Sequence, residues 1–288
     1  MRVLIFGASG YAGRAIAQKL VGNHEVYGTY YSQAKQYSDN KKMLRYKLND
    51  TDIAKSILDC VRPQIIISCL RGDFQLQLAA HKQIADYLLR AKDGKIIYIS
   101  TANVFDASKE KPHYEFDKTE SETDYGNFKI KCEQMLQDKL GDRCTIIRIP
   151  QIWGKDCPRI LKLIEDTKSN TPIMTYPNVY VNYTTNIQIA DWIDYIIKKE
   201  LEGIFHIGTR DTCDYMQFQL ELSKVLGLNE PVFNKEIIQQ KCFQAVLPGR
   251  KEIPNDFHLN VMDVLAYLRK VQNSCHDTLN RVGGAHIT

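Results

Sequence analysis

The chain has 288 residues and a formal net charge of +4; 44% of its residues are hydrophobic and 25% charged. That length carries one large α/β domain with a smaller one appended, and the composition excludes a disordered or membrane-spanning chain. The basic residues are dispersed and lack interleaved aromatics, which suits a small anionic substrate better than a nucleic-acid groove.

The first element is a buried strand over residues 3–6, inside Met1-Arg-Val-Leu-Ile-Phe-Gly7. This segment is too short for a secretory signal, and no apolar run reaches membrane length. A cytoplasmic protein with no membrane partner is expected. Gly7-Ala-Ser-Gly10-Tyr-Ala-Gly13 follows at once, and a helix over 12–20 puts Ala12, Ile16 and Leu20 on one face. Glycines also mark ordinary turns, but a triplet between a first strand and a first helix is the context of a dinucleotide loop. Gly7 permits the tight turn, Gly10 lets backbone approach a diphosphate, and Gly13 lets helix and strand pack closely. The helix N-terminus, with Tyr11 and Ala12, offers unpaired N–H groups to phosphate.

A second strand covers Glu25–Tyr30. NAD-preferring proteins of this kind place a carboxylate at its end, for the ribose 2′-OH. Here Thr29 stands at that position, followed by Tyr30, Tyr31, Ser32 and Lys35, with no acid among them. Arg14 is a second cation that could reach a phosphate there. NADP(H) is therefore expected in preference to NAD(H). A third strand is read at 43–48 and a helix at 52–60, with Asp52 accepting hydrogen bonds in its first turn. The apolar runs at 65–70 and 96–99 suit strands covered on both faces. Strand–helix alternation at this spacing predicts a doubly wound parallel sheet of Rossmann-like type.

The fifth strand runs out through Tyr98-Ile-Ser-Thr-Ala-Asn-Val-Phe-Asp106. It places Ser100 and Thr101 at the carboxyl edge of the sheet, where such folds bind ligands. Tyr125-Gly-Asn-Phe-Lys129 opens a helical pattern, and spacing of four puts Tyr125 and Lys129 on one face. A carbonyl being reduced needs a proton donor for its oxygen. A phenol is a poor acid at neutral pH unless a neighbouring ammonium lowers its pKa. Lys129 is expected to supply that charge and to hold the nicotinamide ribose, while a strand-five hydroxyl orients the carbonyl.

Beyond Ile149 loops lengthen, with prolines at 150, 158, 172 and 177. Helices are readable at 187–198, Tyr215–Val225 and 260–271, and residues 272–288 are expected to be loosely held. Residues 1–150 form the expected NAD(P)-binding domain, to which part of 183–208 returns. Residues 151–288 form mostly a smaller C-terminal substrate-binding lobe. The eight cysteines contain no CxxC pair and read as free thiols in a reducing compartment. The seven histidines show no ligand spacing, so no metal site is expected.

Four segments together resemble the dTDP-4-dehydrorhamnose reductase family of extended short-chain dehydrogenase/reductases. Ile99-Ser-Thr-Ala-Asn-Val-Phe-Asp is similar to that family's I-S-T-D-Y-V-F-D, and Tyr125-Gly-Asn-Phe-Lys129 to its Y-G-x-x-K. Arg148-Ile-Pro-Gln-Ile-Trp-Gly154 resembles R-x-x-x-x-Y-G, and Gly203-Ile-Phe-His-Ile-Gly resembles G-I-Y-H-x-x-G. The G-x-x-G-x-x-G spacing is also that of the extended families. The resemblance implies reduction of a 4-keto-6-deoxy nucleotide sugar to the alcohol. In it Thr101 assists, Tyr125 is the acid, and Lys129 tunes it and binds ribose. It further implies cofactor contacts at Lys47 and Leu48 and at Cys69, Leu70 and Arg71, and substrate contacts at Asn103 and Val104. A homodimer is left open.

The departures are specific. The family's Asp-Tyr after the threonine is Ala102-Asn103, which removes the acid that a dehydratase requires. The small residues after strand four are Cys69-Leu70-Arg71, and Arg71 either clasps a phosphate or crowds the cofactor. An epimerase with the same Tyr–Lys pair stays open. So does a non-catalytic regulatory subunit that binds NADP, because the methionine adenosyltransferase regulatory subunit is similar in the same motifs.

Overall fold

A computed structural model describes residues 1–271 except 33, 38, 92, 156, 239 and 240. The expectation for residues 272–288, with Cys275, and the side chain of Lys35 lie outside the described residues. In chain order the first half comprises β1 (Arg2–Phe6), α1 (Tyr11–Leu20), β2 (Glu25–Tyr30), α2 (Ala34–Tyr37), β3 (Met43–Arg45), α3 (Thr51–Val61), β4 (Ile65–Ser68), α4 (Phe74–Arg90), β5 (Lys95–Thr101), α5 (Asp124–Leu140) and β6 (Cys144–Ile149). The second half comprises β7 (Gln151–Trp153), α6 (Pro158–Lys168), β8 (Ile173–Thr175), β9 (Val179–Val181), β10 (Tyr183–Thr185), α7 (Asn186–Lys198), β11 (Gly203–His206), β12 (Cys213–Asp214), α8 (Tyr215–Val225), β13 (Phe233–Lys235) and β14 (Cys242–Gln244). Residues 261–271 form a further helix.

Seven strands make one parallel sheet in the order β11-β6-β5-β4-β1-β2-β3. Ile65, Ile66, Ile67 and Ser68 of β4 are all buried, as a strand covered on both faces requires. On one face Ile16 and Leu20 of α1 pack with Ile189, Trp192 and Ile193 of α7. On the other, Ile57 of α3, Ile84 of α4 and Leu136 of α5 share a core with Leu4 and Tyr98. The strand order reverses at β1, so the loops after β1 and β4 part at the carboxyl edge and open a crevice between them.

Three strand boundaries differ from expectation. β3 stops at Arg45. Tyr46 still donates its N–H to Tyr30 O at 2.8 Å while its ring packs edge-on against Phe6 at 5.4 Å, and Lys47 and Leu48 fall in the following turn. β4 stops at Ser68, which releases Cys69, Leu70 and Arg71 into the edge loop. β5 is longer than the 96–99 run and reaches Thr101, paired with Ile149 of β6.

The remaining elements build a second core from Trp153, Leu163, Val181, Tyr183, Phe218 and Leu222, with Val264 and Leu268 from the last helix. β9 lies between β12 and β14, while β7 pairs β10 and β8 pairs β13. The chain crosses back between: α7 packs on α1, and β11 extends the large sheet beside β6. His113 bridges the two parts, donating its N–H to Ala245 O at 2.9 Å and accepting from Leu247 N at 2.9 Å. The seven described cysteines are free thiols. Among the described residues no helix is long and apolar enough to cross a membrane, and no group of three His, Cys, Asp or Glu is placed to hold a metal.

Candidate active site

A cleft of about 700 Å³ lies over the carboxyl edge of the sheet, between it and the second core. One bank is the turn from β1 into α1. A Cβ on Gly13 would sit 2.3 Å from Gly7 O, and one on Gly7, which has φ +81°, would sit 2.7 Å from Cys69 O. Only glycine fits either position. Gly10 caps α1 without a side-chain hydrogen bond, so the first-turn N–H groups stay unclaimed by side chains. Gly10, Tyr11, Ala12 and Gly13 line the cleft, and Gly7 supports them from below. Tyr11 also donates its hydroxyl to Lys155 O at 2.9 Å, tying loop to lobe.

Thr29 does not line the cleft. It is 2% exposed, and its Oγ1 accepts the Gly7 N–H at 2.9 Å, beneath the glycine turn. The strand ends at Tyr30 as expected, and Tyr31 and Ser32 are the exposed groups that follow it. Lys47 is exposed and outside the cleft, and Leu48 underlies Gly72. Cys69, Leu70 and Arg71 do line the cleft.

The opposing cluster is set by β5 and α5. Thr123 caps α5, accepting from Gly126 N at 3.1 Å and donating to Asp106 Oδ2 at 2.6 Å. Asp106 also accepts from Ser121 Oγ and Glu122 N, and these bonds outweigh burial to hold its carboxyl below the usual range. This anchors the first turn, which carries Tyr125 into the cleft beside Thr101. Lys129, one turn on, is buried and donates to Ile99 O at 2.9 Å, with its Nζ 4.7 Å from the Tyr98 ring centroid. Burial lowers its pKa to about 8.

Burial pushes the Tyr125 pKa up, opposed by the Thr101 hydroxyl and the Arg71 charge. The Lys129 Nζ lies 6.0 Å from the Tyr125 ring centroid and spends a hydrogen bond on Ile99. Ser100 does not share the Thr101 role, because its hydroxyl donates to Glu133. Glu133 in turn binds Arg148 at 2.7 Å, with both side chains almost fully buried. Glu133 lies four residues beyond Lys129, so the Tyr125–Lys129 spacing extended by one step would have found it. Val104 is fully buried against Phe105 and Val246 and does not line the cleft, whereas Asn103 does.

The lobe bank, which the sequence left blank, consists of Pro150, Gln151, Arg159, Asn182, Phe243 and Gln244. Asn182, just after β9, and Phe243 and Gln244 of β14 reach it because those two strands pair within the lobe.

Residues 1–250 match the family of the RmlD substrate binding domain. A dTDP-4-keto-6-deoxy-D-glucose reductase from Streptomyces niveus is 23% identical over 226 residues, 71% of this chain and 72% of that protein. Methionine adenosyltransferase 2 subunit beta from Danio rerio is 27% identical over 165 residues, 54% of this chain and 49% of that protein. The chain thus spans about half the length of that second relative. The solved structure of a dTDP-4-dehydrorhamnose reductase from Clostridium acetobutylicum has a TM-score of 0.79 at 18% identity, covering 95% of this chain and 100% of that one. Another from Bacillus anthracis, in complex with NADP, has a TM-score of 0.74 at 17% identity, covering 93% and 96%. The fold is thereby the Rossmann-like α/β fold of those structures.

Proposed function

The chain belongs to the family of the RmlD substrate binding domain, and from that premise we propose that it is an NAD(P)H-dependent oxidoreductase reducing a 4-keto-6-deoxy nucleotide sugar to the alcohol. The observation that carries this reading is the meeting of Thr101, Tyr125 and Lys129 in one cleft with the uncapped start of α1. The relatives named as reductases of dTDP-4-keto sugars support the substrate class.

The residues fit a dinucleotide. The cradle of Gly7, Gly10 and Gly13 is one that any Cβ would fill, and the α1 N–H groups would hold the diphosphate. Arg71, Leu70 and Cys69 border the same cleft, and Lys129 would hold the nicotinamide ribose. The reduced cofactor supplies the hydride when bound. The chain's own part is to move one proton. Tyr125 gives its phenolic proton to the carbonyl oxygen as negative charge develops there. The phenolate left behind is stabilised by the Thr101 hydroxyl and by Arg71, the two groups that already favour it.

NADPH in preference to NADH is part of this proposal. The exposed end of β2 carries Tyr31 and Ser32, with no carboxylate to repel a 2′-phosphate. Arg45 stands in register with Tyr30 on the neighbouring strand and is exposed. We assign the dinucleotide to residues 1–150 with α7 and β11 completing the sheet, and the sugar nucleotide to the lobe.

The test is NADPH oxidation by a dTDP-4-keto-6-deoxy sugar, followed by nicotinamide absorbance. Wild type turns over, and Tyr125→Phe loses at least about 10²-fold in kcat with its NADPH affinity kept, as removal of a general acid predicts. Near-wild-type turnover of Tyr125→Phe overturns the mechanism. A second reading, a dinucleotide-binding regulatory subunit, is favoured by the match to the Danio rerio subunit. A wild type that binds NADPH tightly yet reduces no 4-keto sugar selects it.

A further inference from the structure

Tyr11 belongs to the dinucleotide turn by its backbone and to the lobe by its side chain. It opens α1 beside Gly10, which gives no side-chain cap. Its ring packs against the second core, the one that contains Trp153, Cys157 and Leu163. Its hydroxyl donates to Lys155 O at 2.9 Å. The loop from β7 to α6 passes Tyr11 at Gly154, where any Cβ would collide with the Tyr11 hydroxyl and with Asn186 Oδ1. Asn186 is held in turn by Tyr267, whose hydroxyl donates to that oxygen at 3.3 Å. The loop therefore runs between two fixed side chains, one of them supplied by the glycine turn.

The start of α6 takes its position from this loop. Cys157, just before the helix, offers no side-chain cap and donates its own N–H to Gly154 O at 3.2 Å. Ile160 and Leu163 bury the back of α6 in the second core. Its first turn carries Arg159, a cation on the lobe bank of the cleft. A continuous line of contacts thus leads from the Tyr11 hydroxyl through Lys155, Gly154 and Cys157 to the turn that presents Arg159.

We propose that Tyr11 is a positioning residue that fixes Arg159 from the dinucleotide turn and so couples the two ligand sites. This rests on the reductase reading above, in which the turn holds the dinucleotide and the lobe holds the sugar nucleotide. A diphosphate on the α1 N–H groups stiffens the turn that carries Tyr11. The Tyr11 hydroxyl passes that order to the loop before α6, where the second ligand then has less to immobilise. By linkage, the sugar nucleotide strengthens cofactor binding by the same factor.

The probe is dTDP. Calorimetric titration gives its Kd with and without saturating NADPH, in wild type and in Tyr11→Phe, which keeps the ring in the core and removes one hydroxyl. NADPH is expected to tighten dTDP by about fivefold or more in wild type, the lower end of ordinary coupling between sites, and by less than about twofold in the variant. With NADPH bound, the variant should hold dTDP about three- to tenfold more weakly, as loss of one neutral hydrogen bond predicts. A merely structural role lowers Tm and leaves the coupling factor in place. Amide hydrogen exchange over residues 157–168 reads the same tie without any sugar nucleotide. NADPH should slow that exchange in wild type, while Tyr11→Phe exchanges faster and does not respond to NADPH. Coupling and protection lost together in the variant support the proposal; either one kept at its wild-type value overturns it. A wild type that binds no dTDP, yet shows NADPH protection that depends on Tyr11, sinks the nucleotide-sugar reading and leaves the tie standing. A wild type that binds dTDP with no response to NADPH sinks the tie and leaves the reading.

Discussion

Lys129 has a charge that its surroundings resist, and the effect on stability has a definite sign. Burial lowers its pKa from 10.5 to about 8, so the folded chain binds this proton less tightly than the unfolded one. Below pH 8 the ammonium destabilises the fold by roughly 3 kcal/mol, at 1.36 kcal/mol per pH unit. The penalty fades as pH rises and is gone by about 10.5. The bond to Ile99 O and the Tyr98 ring recover part of it. Lys129→Met is therefore expected to melt a few degrees higher than wild type at pH 7, with the gain vanishing near pH 10.5. It is also expected to bind NADPH less well, because the ammonium proposed to hold the ribose is gone. Calorimetry across pH, with titration of the cofactor, checks both; a variant less stable at pH 7 and unchanged in affinity would show that Lys129 is a structural tie alone. At this scale Tyr125 and Lys129 were legible from a four-residue step, and Thr101 from its place at a strand end. The pull of Arg71 was not. It depends on how the loop after β4 turns back over the edge, which residue order alone does not specify.

The glycine turn is one element, and its stability rests on a strand two places along the chain. Thr29 Oγ1 is the acceptor for the buried Gly7 N–H. Thr29→Val keeps the shape of the side chain and removes that acceptor, leaving an unsatisfied donor under the loop. A lost partner of this kind costs about 1–3 kcal/mol. The expected result is a lower Tm and weaker binding of NADPH and NADH by the same factor, since the diphosphate cradle is common to both. A selective change in one cofactor would put Thr29 back at the ribose. Strands β1, β2 and β4 were readable because β-branched runs bounded by turn residues have few other ways to be buried. β3 was read too long because Leu48 keeps the alternation of a strand past the last hydrogen bond to β2, from Tyr46 N to Tyr30 O. The lobe strands could not be read at all: two or three residues are too few to show a period, and their pairing is set by contacts far apart in sequence.

Taken as a molecule, the chain places its cleft between two cores that are held in register by His113, by the return of α7 and β11, and by Glu115. Glu115 is buried and accepts from His206 N at 3.1 Å and from Gly249 N at 3.1 Å. Of the charged groups lining the cleft, Asp106, His113 and Lys129 already have partners. Arg71 on the sheet side and Arg159 on the lobe side have no ion pair with a described residue. The cleft thus carries one uncompensated cation on each bank, and the proposed reaction brings in two anionic ligands, a dinucleotide and a nucleotide sugar. The simplest electrostatic match gives each ligand the cation on its own bank. Arg159→Ala should then raise KM for the nucleotide sugar by about tenfold or more, the effect of losing one charge-assisted hydrogen bond of roughly 1.5–3 kcal/mol. The Kd for NADPH should stay within about twofold, because the glycine cradle and Arg71 lie across the cleft. Arg71→Ala should show the reverse split in binding, and with its charge gone the falling limb set by Tyr125 should move to higher pH, since the Arg71 charge favours the phenolate. Steady-state kinetics and calorimetric titration of the two variants separate these effects. If Arg159→Ala weakens NADPH and spares the sugar, the division of ligands between the two banks is wrong, whatever the fate of the acid.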